Sequence, residues 1–112
     1  MIEHATAGAL VSGGETSGTL RRANDIADVT DLMQRSDLDA TILFVDSPSA
    51  TAVVPLLPRV LGVVCRSGGS TSHLALVSRE FGITCVMGAE LPADAGQGEA
   101  VTIDASGTVT LS

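Results

Sequence analysis

One stretch of the chain collects the residue types that handle a charged group. Residues 60–88 read VLGVVC-RSGGSTS-HLALVSREFG-ITCVMG: an apolar run, a glycine pair, hydroxyls, then a helical pattern whose first turn holds a histidine. Gly68 and Gly69 permit backbone conformations in which successive N–H groups point outward. A helix N-terminus adds unpaired N–H groups and about half a positive charge. Together they predict an anion-binding corner of the kind that takes phosphate, with Thr71 and Ser72 adding hydroxyl donors. His73 lies in the first turn of the expected helix, beside that corner. The positive helix end disfavours an imidazolium, so the sequence predicts a neutral ring with a nitrogen lone pair free to attack. Attack on phosphorus, with N–H and hydroxyl groups holding the transferred oxygens, gives a transient phosphohistidine. Arg66, just before the loop, carries a planar fork that suits a phosphate oxygen or a neighbouring acid. The same local pattern also describes an ordinary surface histidine at a helix start, because Gly-Gly and Ser-Thr-Ser loops are common.

The other candidates are plainer. The 6 basic residues are all arginine, so chemistry that needs a P-loop lysine, a Schiff-base lysine or a lysine base is excluded. With 13 acids the net charge is −7, and Phe44 and Phe81 are the aromatic side chains. Such a chain lacks the basic footprint and the stacking platform of a nucleic-acid binder. Cys65 and Cys85 lie in apolar runs and read as core residues, not as a disulfide pair. With His4 and His73 as the histidines, no zinc site of ordinary spacing is expected. His4 reads as a solvated terminal residue. At about 100° per residue, Arg79 lies roughly 240° round the helix from His73, which suits a structural ion pair. Glu80 shares the side of His73 but sits two turns away, too far for direct acid–base work. Asp25, Asp28, Asp31, Asp37 and Asp39 read as a solvated helix face, or as a docking surface for a basic partner.

These residues need elements to hold them. Residues 5–22 suggest two short strands around a Gly13-Gly14 turn, with a bulge or tight packing. Asn24 or Asp25 caps a helix expected over 25–36, with Ile26, Val29, Leu32 and Met33 at helical spacing. Thr41–Val45 is a β-branched apolar strand; Ser47 then caps a short helix over about 48–57. Val60–Cys65 is a strand. The helix over about 72–81 turns Leu74, Val77 and Phe81 to one face, and Gly82 ends it. Ile83–Met87 is a strand, 89–99 a loop, and 100–104 with 108–111 a hairpin around Ala105-Ser106-Gly107. The order predicts one mixed α/β layered domain spanning residues 1–112. A mean hydropathy of +0.38 raises the question of a membrane, but Pro55, Pro58 and Arg59 break the longest apolar stretch. The start Met-Ile-Glu-His has no signal-peptide character, so the cytoplasm is the expected compartment.

Gly68-Gly69-Ser70-Thr71-Ser72-His73, the helix that follows, and Val86-Met87-Gly88 resemble the signature of the phosphoenolpyruvate-utilising enzyme mobile domain. This is the phosphohistidine swivelling domain of pyruvate phosphate dikinase, phosphoenolpyruvate synthase and the sugar phosphotransferase enzyme I. The family pattern runs roughly GG-x-TSH-x-A-x-x-AR-x-x-x-IP-x-VxG, in register with residues 68–88. Weaker likeness extends to Gly13-Gly14 with Ser17-Gly18, to Thr41–Asp46 and to the closing hairpin. Three positions depart from the pattern: Ser78 replaces a small apolar residue, Thr84 stands where proline is common, and Leu74 where a smaller side chain is frequent.

The resemblance implies a compact swivelling β/β/α domain with a mixed sheet. It implies that His73 is phosphorylated on its ring, that Thr71 contacts the phosphoryl group, and that Gly68 and Gly69 form the loop. It also implies a cycle in which the domain moves between a donor site and an acceptor site. Donor sites in the family are an ATP-grasp domain or a barrel that binds phosphoenolpyruvate, and neither fits in 112 residues. The chain is therefore expected to bind no cofactor itself. Magnesium with ATP, or phosphoenolpyruvate, belongs to a nucleotide-binding, phosphoenolpyruvate/pyruvate-binding or other acceptor partner. A stand-alone carrier subunit or an excised domain both satisfy this. The rival class is a swivelling small subunit of a dehydratase-like enzyme, or an inert interaction module, with no phosphorylation of His73.

Overall fold

The computed structural model describes residues 4–23, 25–46, 51–67, 73–92 and 94–111. The chain forms an α/β domain around a mixed eight-stranded sheet. Its strands are β1 (His4–Ala7), β2 (Ala9–Ser12), β3 (Thr16–Arg22), β4 (Thr41–Val45), β5 (Gly62–Cys65), β6 (Thr84–Met87), β7 (Gln97–Ile103) and β8 (Thr108–Leu111). They lie side by side in the order β1-β8-β7-β3-β4-β5-β6-β2. The centre, β3 to β6, is parallel, and the flanks are antiparallel.

The parallel centre follows from its apolar runs. TILFV, GVVC and TCVM are buried at every position, as strands covered on both faces must be. Their side chains alternate between two cores. Leu43, Val45, Val63, Cys65, Cys85 and Met87 face a helical layer that contributes Val29, Leu32, Val53, Leu56, Leu57 and Leu74. Ile42, Phe44, Val64 and Val86 face the opposite way, toward Leu20, Leu91, Val101, Ile103, Val109 and Leu111. The helical layer consists of α1 (Ile26–Met33), a 3₁₀ stretch Thr51–Arg59 and α2 (His73–Phe81).

The N-terminal strands are not a simple pair around Gly13-Gly14. Three strands form, and β1 and β2 stand at opposite edges of the sheet although only Gly8 separates them. β1 ladders onto β8 and β2 onto β6, so the sheet curls until its edges meet at that residue. Gly8 N donates to Gly107 O at 3.1 Å. A Cβ on Gly107 would stand 2.6 Å from Gly8 O, so the two glycines let the backbones close the seam. The curl doubles the sheet into two layers under one helical layer, which is the β/β/α architecture that the family resemblance implies.

Other boundaries shift for local reasons. Asp25 caps α1 by accepting from Asp28 N at 2.8 Å, but the helix ends at Met33. Val29 and Leu32 are buried there, whereas Ile26 and Met33 are exposed. The helix expected over 48–57 is a 3₁₀ stretch instead, because Pro55 and Pro58 remove amide donors that an α-helix would use. Its expected cap, Ser47, lies outside the described residues. β5 begins at Gly62, and β7 starts at Gln97 inside the expected loop. Phe81 is exposed at the end of α2, while Ser78 is buried. Among the described residues no helix is long and apolar enough to cross a membrane.

Candidate functional site

His73 is the first residue of α2 and is exposed. The helix beneath it is held on three sides. Leu74, Ala75 and Ser78 are buried against the sheet. Arg79 Nε donates to Val11 O at 2.9 Å, which ties the helix to edge strand β2. The spacing of Arg79 suits an ion pair; in the fold its Nε takes a backbone carbonyl, because the flank it occupies faces a strand edge. At the far end Gly82 N donates to Arg79 O and Ile83 N to Ser78 O, with Gly82 at φ 68°. That is the closure expected from glycine just past a helix.

The position where the family favours proline is filled in another way. Thr84 Oγ1 donates to Gly14 O at 2.8 Å and accepts from Gly14 N at 3.3 Å. The first residue of β6 is thus fastened to the β2–β3 turn. Ser78 lies against Cys85 in the same core, so the departures there are packing changes.

The loop that leads to His73 leaves from the end of β5. Gly68, Gly69, Thr71 and Ser72, the predicted anion corner, lie outside the described residues. Arg66 and Ser67 precede it and are firmly bound. Arg66 N donates to Val45 O at 3.0 Å, and Ser67 Oγ donates to Asp46 O at 3.0 Å. The Arg66 guanidinium donates to Leu91 O at 3.0 Å, lies 3.6 Å from Asp46 Oδ1, and stacks 5.5 Å from the centre of the Phe44 ring. Phe44 belongs to the core on the face opposite α2. The fold therefore places the Arg66 side chain and the His73 helix on different faces of the sheet.

Cys65 and Cys85 are both free and buried. Burial pushes the Cys65 thiol up, and pushes Cys85 up to about 11; the Ser78 hydroxyl, buried beside Cys85 but short of hydrogen-bond geometry, offsets part of this. Neither is a thiolate at neutral pH, which removes both as nucleophiles. The helix-face acids divide in the fold. Asp25 caps α1, Asp37 pairs with Arg35 at 2.9 Å, and Asp28 and Asp31 line a cavity of about 200 Å³ with Arg21, Arg22, Leu32, Gly96 and Gln97. That cavity, which no local pattern in the sequence singles out, opens at the exit of β3. β4 lies between β3 and β5 in the sheet, and His73 does not line the cavity.

Comparison with known proteins adds to this geometry. The family model for the PEP-utilising enzyme, mobile domain, matches residues 38–107. A probable phosphoenolpyruvate synthase of Methanothermobacter thermautotrophicus is 35% identical over 77 residues, which is 69% of this chain and 10% of that protein. A rifampicin phosphotransferase from a Streptomyces species is 33% identical over 88 residues, 79% of this chain and 9% of that protein. The chain thus spans about a tenth of the length of these relatives. Among solved structures, a chain in Thermococcus kodakaraensis aconitase X (holo-form) superposes with a TM-score of 0.63 at 16% identity, covering 97% of this chain and 98% of that one. At that identity the likeness is one of fold.

Proposed function

The chain belongs to the PEP-utilising enzyme mobile domain family, and from that membership we propose that it is a phosphocarrier whose His73 takes a phosphoryl group from one site and delivers it to another. The observation that carries the reading is the placement of His73: exposed, first in its helix, and directly after Gly68-Gly69-Ser70-Thr71-Ser72. A ring nitrogen there reaches a reactant without any movement of the core. The helix N-terminus stabilises negative charge that arrives beside it. The loop amides and the hydroxyls of Thr71 and Ser72 would take the phosphoryl oxygens, which is the electrostatic part of phosphoryl transfer.

Donor and acceptor sites belong to partners in this reading. Magnesium with ATP on a nucleotide-binding domain, or phosphoenolpyruvate on a domain that binds it, charges His73; an acceptor domain discharges it. The short span of this chain within its relatives supports that division of labour. The rival reading, a swivelling small subunit of a dehydratase-like enzyme that works without phosphorylation, would fit the same fold but leaves the histidine unexplained.

Acid-labile phosphorylation tests the proposal. The purified chain is incubated with a soluble extract of its own host and either ATP or phosphoenolpyruvate, with His73→Ala alongside, and intact mass is followed. The expected result is a gain of one phosphoryl mass that acid removes, base preserves and the variant lacks. No gain with either donor, in an extract that phosphorylates a known carrier, overturns the reading in favour of the non-phosphorylated small subunit.

A further inference from the structure

We infer that the cavity at the exit of β3 binds a small zwitterion of the α-amino-acid class, its carboxylate toward the arginines and its ammonium toward the acids. The site is separate from the chemistry of His73, which does not line it. Charge decides the ligand class. β3 brings Arg21 and Arg22 to the cavity, and α1 brings Asp28, Asp31 and the apolar side chain of Leu32. A free dianion there meets two carboxylates, and a bare cation meets two guanidiniums. A zwitterion finds an opposite charge for each of its ends. The volume of about 200 Å³ is below the roughly 300–1,000 Å³ of sites for drug-sized ligands, so the occupant is small.

The chain builds this cavity from both sides. Arg21 stands beside Leu43 in the β3–β4 ladder, and Leu43 faces the helical layer, so Arg21 faces it too. On the other flank the β3–β7 register shifts between Thr19 and Arg21. Gly98 of β7, at φ 102°, makes room there: a Cβ on it would stand 3.2 Å from Arg21 Nη1. Among the described residues the Arg21 guanidinium has no hydrogen-bond or ion-pair partner, and its Nε is buried. The acids around it are otherwise engaged. Asp37 takes two bonds from Arg35, at 2.9 and 3.1 Å. Glu99 accepts from Gly96 N at 3.1 Å and from Gln97 N, which fixes the β7 rim of the cavity. A planar fork left without an acceptor suits a carboxylate, which takes two parallel N–H bonds. On the helix, Asp28 and Asp31 are three residues apart and share a face. Asp31 is exposed and forms no ion pair among the described residues. The cavity also opens at the carboxyl end of a parallel strand, the rim where α/β sheets hold their ligands.

Titration of the ¹⁵N-labelled chain tests the inference, with the amide signals of Gly96, Gln97 and Leu32 as the readout. The probes are L-alanine, L-leucine, propionate, ethylammonium and inorganic phosphate at constant ionic strength. At least one of the two amino acids is expected to shift these signals with a dissociation constant of about 1 mM, the order for a ligand of few atoms. Propionate and ethylammonium each lack one charged end and should bind about tenfold more weakly. Arg21→Gln and Asp31→Asn should each weaken the amino acid about tenfold, and Arg21→Lys should recover part of the loss.

No saturable shift with either amino acid, up to about tenfold above that concentration, overturns the inference. Propionate or phosphate binding as tightly as the amino acid, and more tightly still in Asp31→Asn, overturns it in favour of a plain anion site. Unchanged binding in both Arg21→Gln and Asp31→Asn overturns it as well, because the ligand then lies elsewhere. If Arg21→Gln does not fold, Asp31→Asn, a change at an exposed position, decides by the same readings.

Discussion

Gly107→Ala should be one of the most damaging single-methyl changes in this protein. Gly107 sits at φ 92°, which L-residues rarely adopt, and forcing a side chain there costs about 1–3 kcal/mol. The added Cβ would also stand 2.6 Å from Gly8 O and 3.0 Å from Leu10 N. Both neighbours are backbone and cannot rotate away. The corner between β1 and β2 must shift, which strains the 3.1 Å bond from Gly8 N to Gly107 O, at about 1 kcal/mol for a lost bond. The sum is about 2–4 kcal/mol, a large part of the roughly 5–15 kcal/mol typical of a whole domain. Gly82→Ala is the control. Its φ is 68° but nothing stands within 4 Å of the added methyl, so the conformational penalty of about 1 kcal/mol acts alone. Urea unfolding of both variants gives the two differences directly. If Gly107→Ala lies within about 1 kcal/mol of Gly82→Ala, the seam at Gly8 is not closed as described and the reasoning fails.

Three further outcomes follow from individual contacts. Thr84→Val keeps the shape of the side chain but loses both bonds to Gly14, and since water reaches Gly14 the loss should be about 1 kcal/mol in urea unfolding, against none for a surface threonine such as Thr30. Cys65 and Cys85 should resist iodoacetamide in the folded protein at pH 8 and take two labels in denaturant, because burial raises both thiols and holds them from solvent; intact mass reads the result, and rapid native labelling of Cys85 would contradict it. Hydrogen bonds from Ser106, Thr108 and the turn amides hold the Asp104 carboxyl below its ordinary range. Its contribution is therefore complete above the unfolded value of about 4 and is lost as pH falls through the lower folded value, so Asp104→Asn should lose less stability than the parent between pH 7 and pH 2.5 in thermal unfolding.

Much of the candidate site is local, and local features are legible in a sequence. The order Gly68-Gly69-Ser70-Thr71-Ser72-His73, the apolar run Thr41–Val45, the Asp25 cap and Gly82 after α2 each depend on neighbours a few residues away. Periodicity and capping chemistry decide them, so β4, both helix starts and the end of α2 fall where the residues indicate. Which apolar residues of a helix are covered is less local. Ile26, Met33 and Phe81 have the right spacing but lie on flanks that leave them exposed.

The remaining features join residues that are far apart along the chain. Arg79 finds a carbonyl 68 residues away and Thr84 a glycine 70 residues away. β1 and β2 part at Gly8 because the edges available to them are β8 on one side and β6 on the other, neither of which a local pattern can announce. By its residues alone, the sequence determined a histidine poised after a glycine-hydroxyl loop in an α/β chain. The tertiary structure alone decided that Arg66 turns to the opposite face and that the sheet closes on itself. The physical reason is that strand order and register are set by the burial of two whole faces at once, a condition that no short segment satisfies by itself.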